Sequence, residues 1–148
     1  MFRILLTAFG IITINVLLQS LVYIAWSVRV DEILNEVKKK LTPHRKLWLL
    51  AISFFTFTIL HVLQSFVWAG LFYILPETKT QFLNFTEALY FSLITFTTLG
   101  YGDITIHSVW RLLSGFEAIN GIMLIGWTTA IMFSLIQKIM NRSTISNG

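Results

Sequence analysis

The chain has 148 residues, of which 55% are hydrophobic and only 12% are charged. Soluble domains contain about 45–50% apolar residues and about a quarter charged residues, so this composition excludes an ordinary soluble protein and indicates an integral membrane protein. The net charge of +4 does not point to nucleic-acid binding. Most of the basic residues lie between two apolar segments, where such residues orient a protein in the bilayer.

The first apolar segment, residues 2–28, carries a single charge at its edge, Arg3. As a helix it would be about 40 Å long, enough to cross a bilayer with some tilt, whereas the apolar part of a signal peptide has about 7–15 residues. We therefore predict an N-terminal transmembrane helix in residues 1–28. Asn15 and Gln19 share one helical face, and we expect that face to contact protein; two polar residues tolerated in lipid are the alternative.

Residues 29–46 form the one long charged stretch of the sequence. Apolar residues recur there at helical spacing and charged residues fall mostly on other faces. This pattern predicts a short, basic, cytoplasmic amphipathic helix in the membrane interface, which ends before Pro43. In one interpretation the linker binds anionic lipid headgroups through Lys38, Lys39 and Lys40. In the other it is a simple loop that orients the protein.

The second predicted span, residues 47–75, contains His61 and Gln64. Either side chain can hydrogen-bond to a neighbouring helix, although a lone histidine on an apolar face is more often a packing residue than a ligand.

A short apolar helix is predicted next. Asn84, followed three residues later by Glu87, resembles a capping box, and a helix over residues 85–97 would be about 20 Å long. Since this is too short to cross the bilayer, we expect a re-entrant helix. The third span is predicted at residues 110–136, and it contains the acidic residue Glu117.

Between these two helices runs the segment Thr98-Leu99-Gly100-Tyr101-Gly102-Asp103. Glycine adopts positive φ without steric cost, so glycines at alternate positions let successive carbonyl groups turn to one side of an extended strand. The Thr98 hydroxyl adds an oxygen at the inner end. Four such strands around an axis would form stacked rings of oxygens that replace the water shell of a monovalent cation. We therefore interpret the segment as a selectivity filter.

The segment resembles the signature Thr-Val-Gly-Tyr-Gly-Asp of tetrameric potassium channels, from which it departs at Leu99. The resemblance covers residues 47–137, which would form a potassium-channel-like pore domain. It implies a homotetramer with K⁺ as the permeant ion and no organic cofactor. It also implies the site residues: K⁺ at Thr98, Leu99, Gly100 and Tyr101, an outer turn at Gly102, and Asp103 at the outer mouth.

The pore helix departs from the same family at several positions. Related channels often carry two tryptophans that brace the filter tyrosine, and Tyr90 and Phe91 stand at those positions here. Phe91 cannot hydrogen-bond to Tyr101. Some relatives have a carboxylate behind the filter, where this chain has Ile94. The resemblance therefore leaves open how this filter is braced.

The resemblance makes the third span the inner, pore-lining helix. Gly121 lies close to the position at which such helices often bend, and close helix packing is the alternative. A carboxylate that faced lipid would cost roughly 2.5–3.5 kcal/mol. We therefore expect Glu117 either to support the filter, by accepting a hydrogen bond from Ser92, Thr95 or another hydroxyl, or to form a ring of carboxylates in the cavity. Four residues at helical spacing are expected to face the cavity: Asn120, Met123, Trp127 and Ala130.

Three spans place the two termini on opposite sides of the membrane. Eight basic residues lie on the side of residues 29–46 and the C-terminal segment, and three lie on the other side. The positive-inside rule therefore puts the N-terminus outside and the C-terminus in the cytoplasm, which is the orientation that the resemblance also requires. We expect the plasma (inner) membrane, with residues 138–148 as a short cytoplasmic tail.

The sequence thus predicts an all-α integral membrane protein with three transmembrane helices. A re-entrant pore helix and a filter loop lie between the second and third, and four chains form the channel. The predicted function is passive, potassium-selective conduction; a weakly selective cation channel and a non-conducting, channel-like accessory subunit are the alternatives. An enzyme is not expected, because the three histidines are scattered, there is no cysteine, and no nucleophile–base pair or metal-ligand spacing is present.

Overall fold

The computed structural model describes residues 1–36 and 42–145. Within these residues, three helices are long and apolar enough to cross a membrane. They are α1 (Phe2–Glu36), α2 (Pro43–Ile74) and α5 (Leu112–Ile145). Two short helices, α3 (Pro76–Lys79) and α4 (Phe85–Phe96), lie between α2 and α5, and a single 3-10 turn, Val109–Arg111, leads into α5. The prediction of an all-helical membrane protein with three spans is confirmed.

Helix α1 is longer than the sequence pattern suggested. The pattern predicted a first helix that ends at residue 28 and a separate interfacial helix after it, but α1 continues through this point to Glu36. The reason is packing. Val30 and Leu34 are 5% and 0% exposed and form an apolar cluster with Leu49 and Leu135, so the buried stripe of α1 extends past residue 28.

Two other boundaries differ from the prediction. Helix α2 begins at Pro43 instead of residue 47, because proline has no N–H to donate and suits the first turn. Helix α5 continues past residue 137 to Ile145, where a tail was expected. The predicted lipid-binding residues Lys38, Lys39 and Lys40 lie outside the described residues, so that prediction stays untested.

Two buried clusters mark the two ends of the helix bundle. At one end, Ile4 and Ala8 of α1 pack with Phe72, Phe96 and Trp110. At the other end is the cluster that contains Val30 and Leu34. The start of α1, the end of α2, helix α4 and the start of α5 therefore share one end, and the C-terminal halves of α1 and α5 share the other.

Buried polar side chains join α1 to the rest of the protein. Asn15 and Gln19 are both 0% exposed, and Gln64 of α2 donates a hydrogen bond to Gln19 at 3.1 Å. The predictions that this face of α1 contacts protein and that Gln64 bonds to another helix are confirmed.

Candidate functional site

The N-terminus of α4 is capped as the sequence predicted. Asn84 Oδ1 accepts a hydrogen bond from the Glu87 N–H at 3.0 Å, and the Glu87 carboxylate accepts one from the Leu83 N–H at 2.8 Å. These bonds satisfy amide groups that a helix start leaves without partners. Helix α4 runs from Phe85 to Phe96, so its C-terminal end, which carries partial negative charge, directly precedes the segment 98–103.

In this segment every second residue has a positive φ. The angles are 61° at Thr98, 51° at Gly100 and 77° at Gly102. The two glycines adopt this region freely, whereas for Thr98 it costs energy, and non-glycine residues in such conformations concentrate at functional sites. The structure therefore has the alternating backbone that the sequence predicted, with Thr98 as a third member.

Backbone hydrogen bonds tie the start of this segment to the last turn of α4. The Thr98 N–H donates to the Thr95 carbonyl at 2.9 Å, and the Gly100 N–H donates to the Ile94 carbonyl at 3.0 Å. The Thr97 hydroxyl donates to the Leu93 carbonyl at 2.8 Å. The segment is therefore positioned by α4, whereas the Leu99 and Tyr101 side chains project outward and are 57% and 67% exposed in the single chain.

The end of the segment is held by a contact that the sequence analysis missed. Tyr90 of α4 donates a hydrogen bond from its hydroxyl to Asp103 Oδ2 at 2.8 Å. This hydrogen bond raises the pKa of the Tyr90 hydroxyl, because it is lost if the proton leaves. The signal was present in the sequence: Tyr90 was recognised at a bracing position, and a tyrosine there keeps a polar hydroxyl.

The neighbouring residue, Phe91, packs instead of hydrogen-bonding. Its ring lies edge-on to Phe72, with 5.3 Å between centroids, and 5.5 Å from Phe82. Ile94 is 7% exposed. At Phe91 and Ile94, α4 is therefore buried through apolar side chains that offer no hydrogen bond to the filter segment.

Glu117 lies behind α4 and is 0% exposed. Its Oε1 atom is in hydrogen-bond contact with the Ser92 hydroxyl, and the same hydroxyl lies 2.8 Å from the Ser65 carbonyl oxygen. Ser92 thus links α4 to both α2 and α5. Full burial within one chain separates the Glu117 carboxyl from any open cavity, and this geometry favours the supporting role over the ring of carboxylates.

Gly121 lies where α5 packs directly against the end of α4. A Cβ atom at this position would lie 1.9 Å from the Phe96 carbonyl oxygen and 2.8 Å from its carbon. Helix α5 is continuous through Gly121. The close-packing interpretation therefore has direct geometric support, whereas a bend at Gly121 stays a prediction.

Of the four residues expected to face a cavity, Asn120 is buried and Trp127 is half-buried beside α1. Asn120 is 3% exposed and accepts hydrogen bonds from Asn15 and Trp68, and the Trp127 ring lies 6.5 Å from the ring of Tyr23 in α1. Helical spacing identified a common face, but the sequence had no means of showing that α1 contacts part of it. Met123 and Ala130 are exposed in the single chain.

Across residues 1–36 and 42–145, no group of three or more His, Cys, Asp or Glu side chains could hold a metal ion. A family model described as "Ion channel" matches residues 47–138. The chain belongs to this ion channel family.

The ion channel match runs from α2 to most of α5, and it confirms the resemblance to the two-helix, potassium-channel type of pore domain. Helix α1 precedes the matched region and is an additional apolar helix. Membership of this family indicates a channel and not an enzyme. Comparison with curated proteins and with solved structures gave no match.

Proposed function

We propose that this ion channel conducts K⁺ passively and selectively through a filter made by four copies of the segment 98–102. The observation that supports this proposal is the positive φ at alternate residues, Thr98, Gly100 and Gly102, directly after the C-terminal end of α4. Such a backbone can direct several carbonyl oxygens to one side, as needed to replace the water shell of a monovalent cation.

The same geometry supports a homotetramer. One strand cannot enclose an ion, and cyclic symmetry is the simplest way to supply four. The exposed Leu99 and Tyr101 side chains would then pack against neighbouring subunits. Asp103, held by Tyr90, would lie at the outer mouth, where its carboxylate attracts cations. In this arrangement the N-terminus is outside and the C-terminus is in the cytoplasm, as the distribution of basic residues predicts.

Glu117 would support the filter as a neutral acid. The Ser92 hydroxyl has one hydrogen but two oxygen neighbours, the Ser65 carbonyl and Glu117 Oε1. If Ser92 donates to the carbonyl, the carboxyl must donate to Ser92, which requires a proton on Glu117. A neutral acid also avoids the large cost of an isolated buried charge.

The experiment that tests the function is K⁺ flux from purified protein in liposomes, with the reversal potential measured under a sodium/potassium gradient. We expect a reversal potential close to the potassium equilibrium value. A reversal potential near zero would instead identify a weakly selective cation channel, and the absence of flux from correctly assembled protein would identify a non-conducting subunit.

A further inference from the structure

Four polar side chains are buried where α1, α2 and α5 meet. Their exposed fractions are 0% for Asn15, Gln19 and Gln64 and 3% for Asn120. Apolar residues would fill this space at lower cost, because a buried amide loses free energy unless it is hydrogen-bonded. The hydrogen bonds that these buried amides make must therefore offset the cost of their burial.

The first layer of bonds joins α1 to α5 beside Gly121. Asn15 Nδ2 donates to Asn120 Oδ1 at 3.0 Å, and Trp68 Nε1 of α2 donates to the same oxygen at 3.1 Å. Asn120 is thus held from two helices at once. A rotation of α5 about its own axis would break both bonds.

The second layer lies one turn further along α1. Gln19 Nε2 donates to Thr128 Oγ1 of α5 at 2.9 Å. Gln64 Nε2 donates to Gln19 Oε1 at 3.1 Å and to the Asn15 carbonyl at 3.3 Å. Gln19 therefore bonds to α2 through its oxygen and to α5 through its nitrogen.

The two bonded residues of α5, Asn120 and Thr128, lie on either side of Gly121 and Gly126. Asn120 directly precedes Gly121, and Thr128 follows Gly126 by two residues. A bend at either glycine would change the separation of Asn120 and Thr128, whereas Asn15 and Gln19 are fixed on consecutive turns of one helix. Gly121 in turn contacts the Phe96 carbonyl. The rotation of α5 therefore determines the position of the C-terminal end of α4.

We propose that Asn15 and Gln19 are positioning residues of the ion path. They hold the rotation of α5 on both sides of Gly121 and Gly126, and through Gly121 they hold the end of the pore helix. This inference rests on the proposed function, in which α5 is the inner helix. It gives α1, which lies outside the matched family region, a role in conduction and not only in membrane anchoring.

The test uses the full chain in liposomes with the variants Asn15→Leu and Gln19→Leu. Two quantities are measured: amide hydrogen exchange in residues 122–136, and K⁺ flux per assembled protein. Loss of a buried interhelical bond should speed exchange by on the order of three- to tenfold. Flux should change by at least about threefold, because Gly121 of a less restrained α5 no longer holds the end of the pore helix in place.

Thr13→Val and Ser20→Ala are the matched controls. On α1, Thr13 is exposed and Ser20 is half-buried, and both hydroxyls bond to their own helix, at Phe9 O and Val16 O, each at 2.8 Å. Both controls should leave exchange and flux unchanged. If Gln19→Leu fails to assemble, Thr128→Val removes the same bond from the α5 side with an isosteric side chain.

Unchanged exchange and flux in Asn15→Leu and Thr128→Val would overturn the inference, and so would faster exchange with unchanged flux, which indicates a purely structural role. Both results require a wild-type protein that conducts. A wild type that carries no flux overturns the proposed function instead, and the exchange measurement then decides whether α1 holds α5.

Discussion

At the scale of single residues, the site depends on backbone conformations that only some side chains permit. Gly100 and Gly102 have positive φ, yet a Cβ atom at either position would meet no heavy atom of the chain within 4 Å. The glycine requirement there is therefore conformational, whereas at Gly121 it is steric. The same substitution to alanine should act through different causes at these positions.

For Gly100→Ala we expect loss of selective K⁺ flux with normal membrane insertion. The added Cβ disfavours positive φ by about 1–2 kcal/mol, which favours a conformation with a carbonyl turned away from the axis. The control is Gly10→Ala in α1, where space is also free and φ is helical. The measurement is the reversal potential under a sodium/potassium gradient. An unchanged preference for K⁺ would mean that the filter lies elsewhere.

For Gly121→Ala we expect a less stable protein. The new Cβ would overlap the Phe96 carbonyl, so α4 and α5 must move apart, and overpacking of this kind typically costs about 1–3 kcal/mol. Gly126→Ala on the same helix has free space and serves as the control. Thermal unfolding in detergent measures both. Equal midpoints for the two variants would refute the close-packing role.

At the scale of elements, α4 is positioned by three different kinds of contact: its capped N-terminus, the Ser92 bridge to α2 and α5, and the Tyr90 bond to the segment that follows it. A short helix has little stability of its own, so these contacts decide where its C-terminal end points.

For Glu117 the size and hydrogen-bonding capacity of the side chain should matter, and its charge should not. Glu117→Gln keeps a donor for Ser92, so we expect flux and stability close to wild type. Glu117→Ala leaves a cavity and removes a partner of the buried Ser92 hydroxyl, at about 1–3 kcal/mol. Thermal unfolding and K⁺ flux measure both. Reduced conductance in Glu117→Gln alone would instead support a ring of charged carboxylates.

For Tyr90→Phe we expect lower selectivity for K⁺, because Asp103 loses the donor that ties it to α4. Tyr73→Phe is the control, since the Tyr73 ring contact with Phe85 does not need the hydroxyl. Because the pKa of Tyr90 is raised, the Tyr90–Asp103 bond contributes its full stabilisation at pH values below the ordinary tyrosine pKa of about 10. The contribution is lost as the pH rises through that value towards the raised pKa. Equal reversal potentials for wild type and Tyr90→Phe would exclude the role.

At the scale of the whole molecule, the surface of a single chain is strongly apolar. Large apolar side chains such as Phe9, Phe55 and Met123 are 60–69% exposed. Those on α1 and α2 suit lipid, and the proposed function gives the exposed segment 98–102 neighbouring subunits as partners. Crosslinking of detergent-purified protein should therefore stop at four subunits. A monomer or dimer that still conducts K⁺ selectively would contradict the tetramer.

The sequence by itself determined the features that depend on neighbouring residues. Apolar length defined three spans, the Asn84–Glu87 spacing located the start of α4, and alternating glycines predicted the backbone of residues 98–102. Each is a local property, because capping, helix length and φ preference are set within a few residues of the chain.

Only the tertiary structure decided which helix faces meet. The Asn120–Asn15 bond joins residues 105 positions apart, and the seat of Phe96 on Gly121 depends on how α5 is rotated. Helical spacing defines a face but not its partner, so Asn120 was placed in a cavity although it is buried against α1 and α2. The sequence predicted that Glu117 either contacts a hydroxyl such as that of Ser92 or joins a ring of carboxylates. It could not decide between the two, because burial follows from packing among three helices and not from the residue itself.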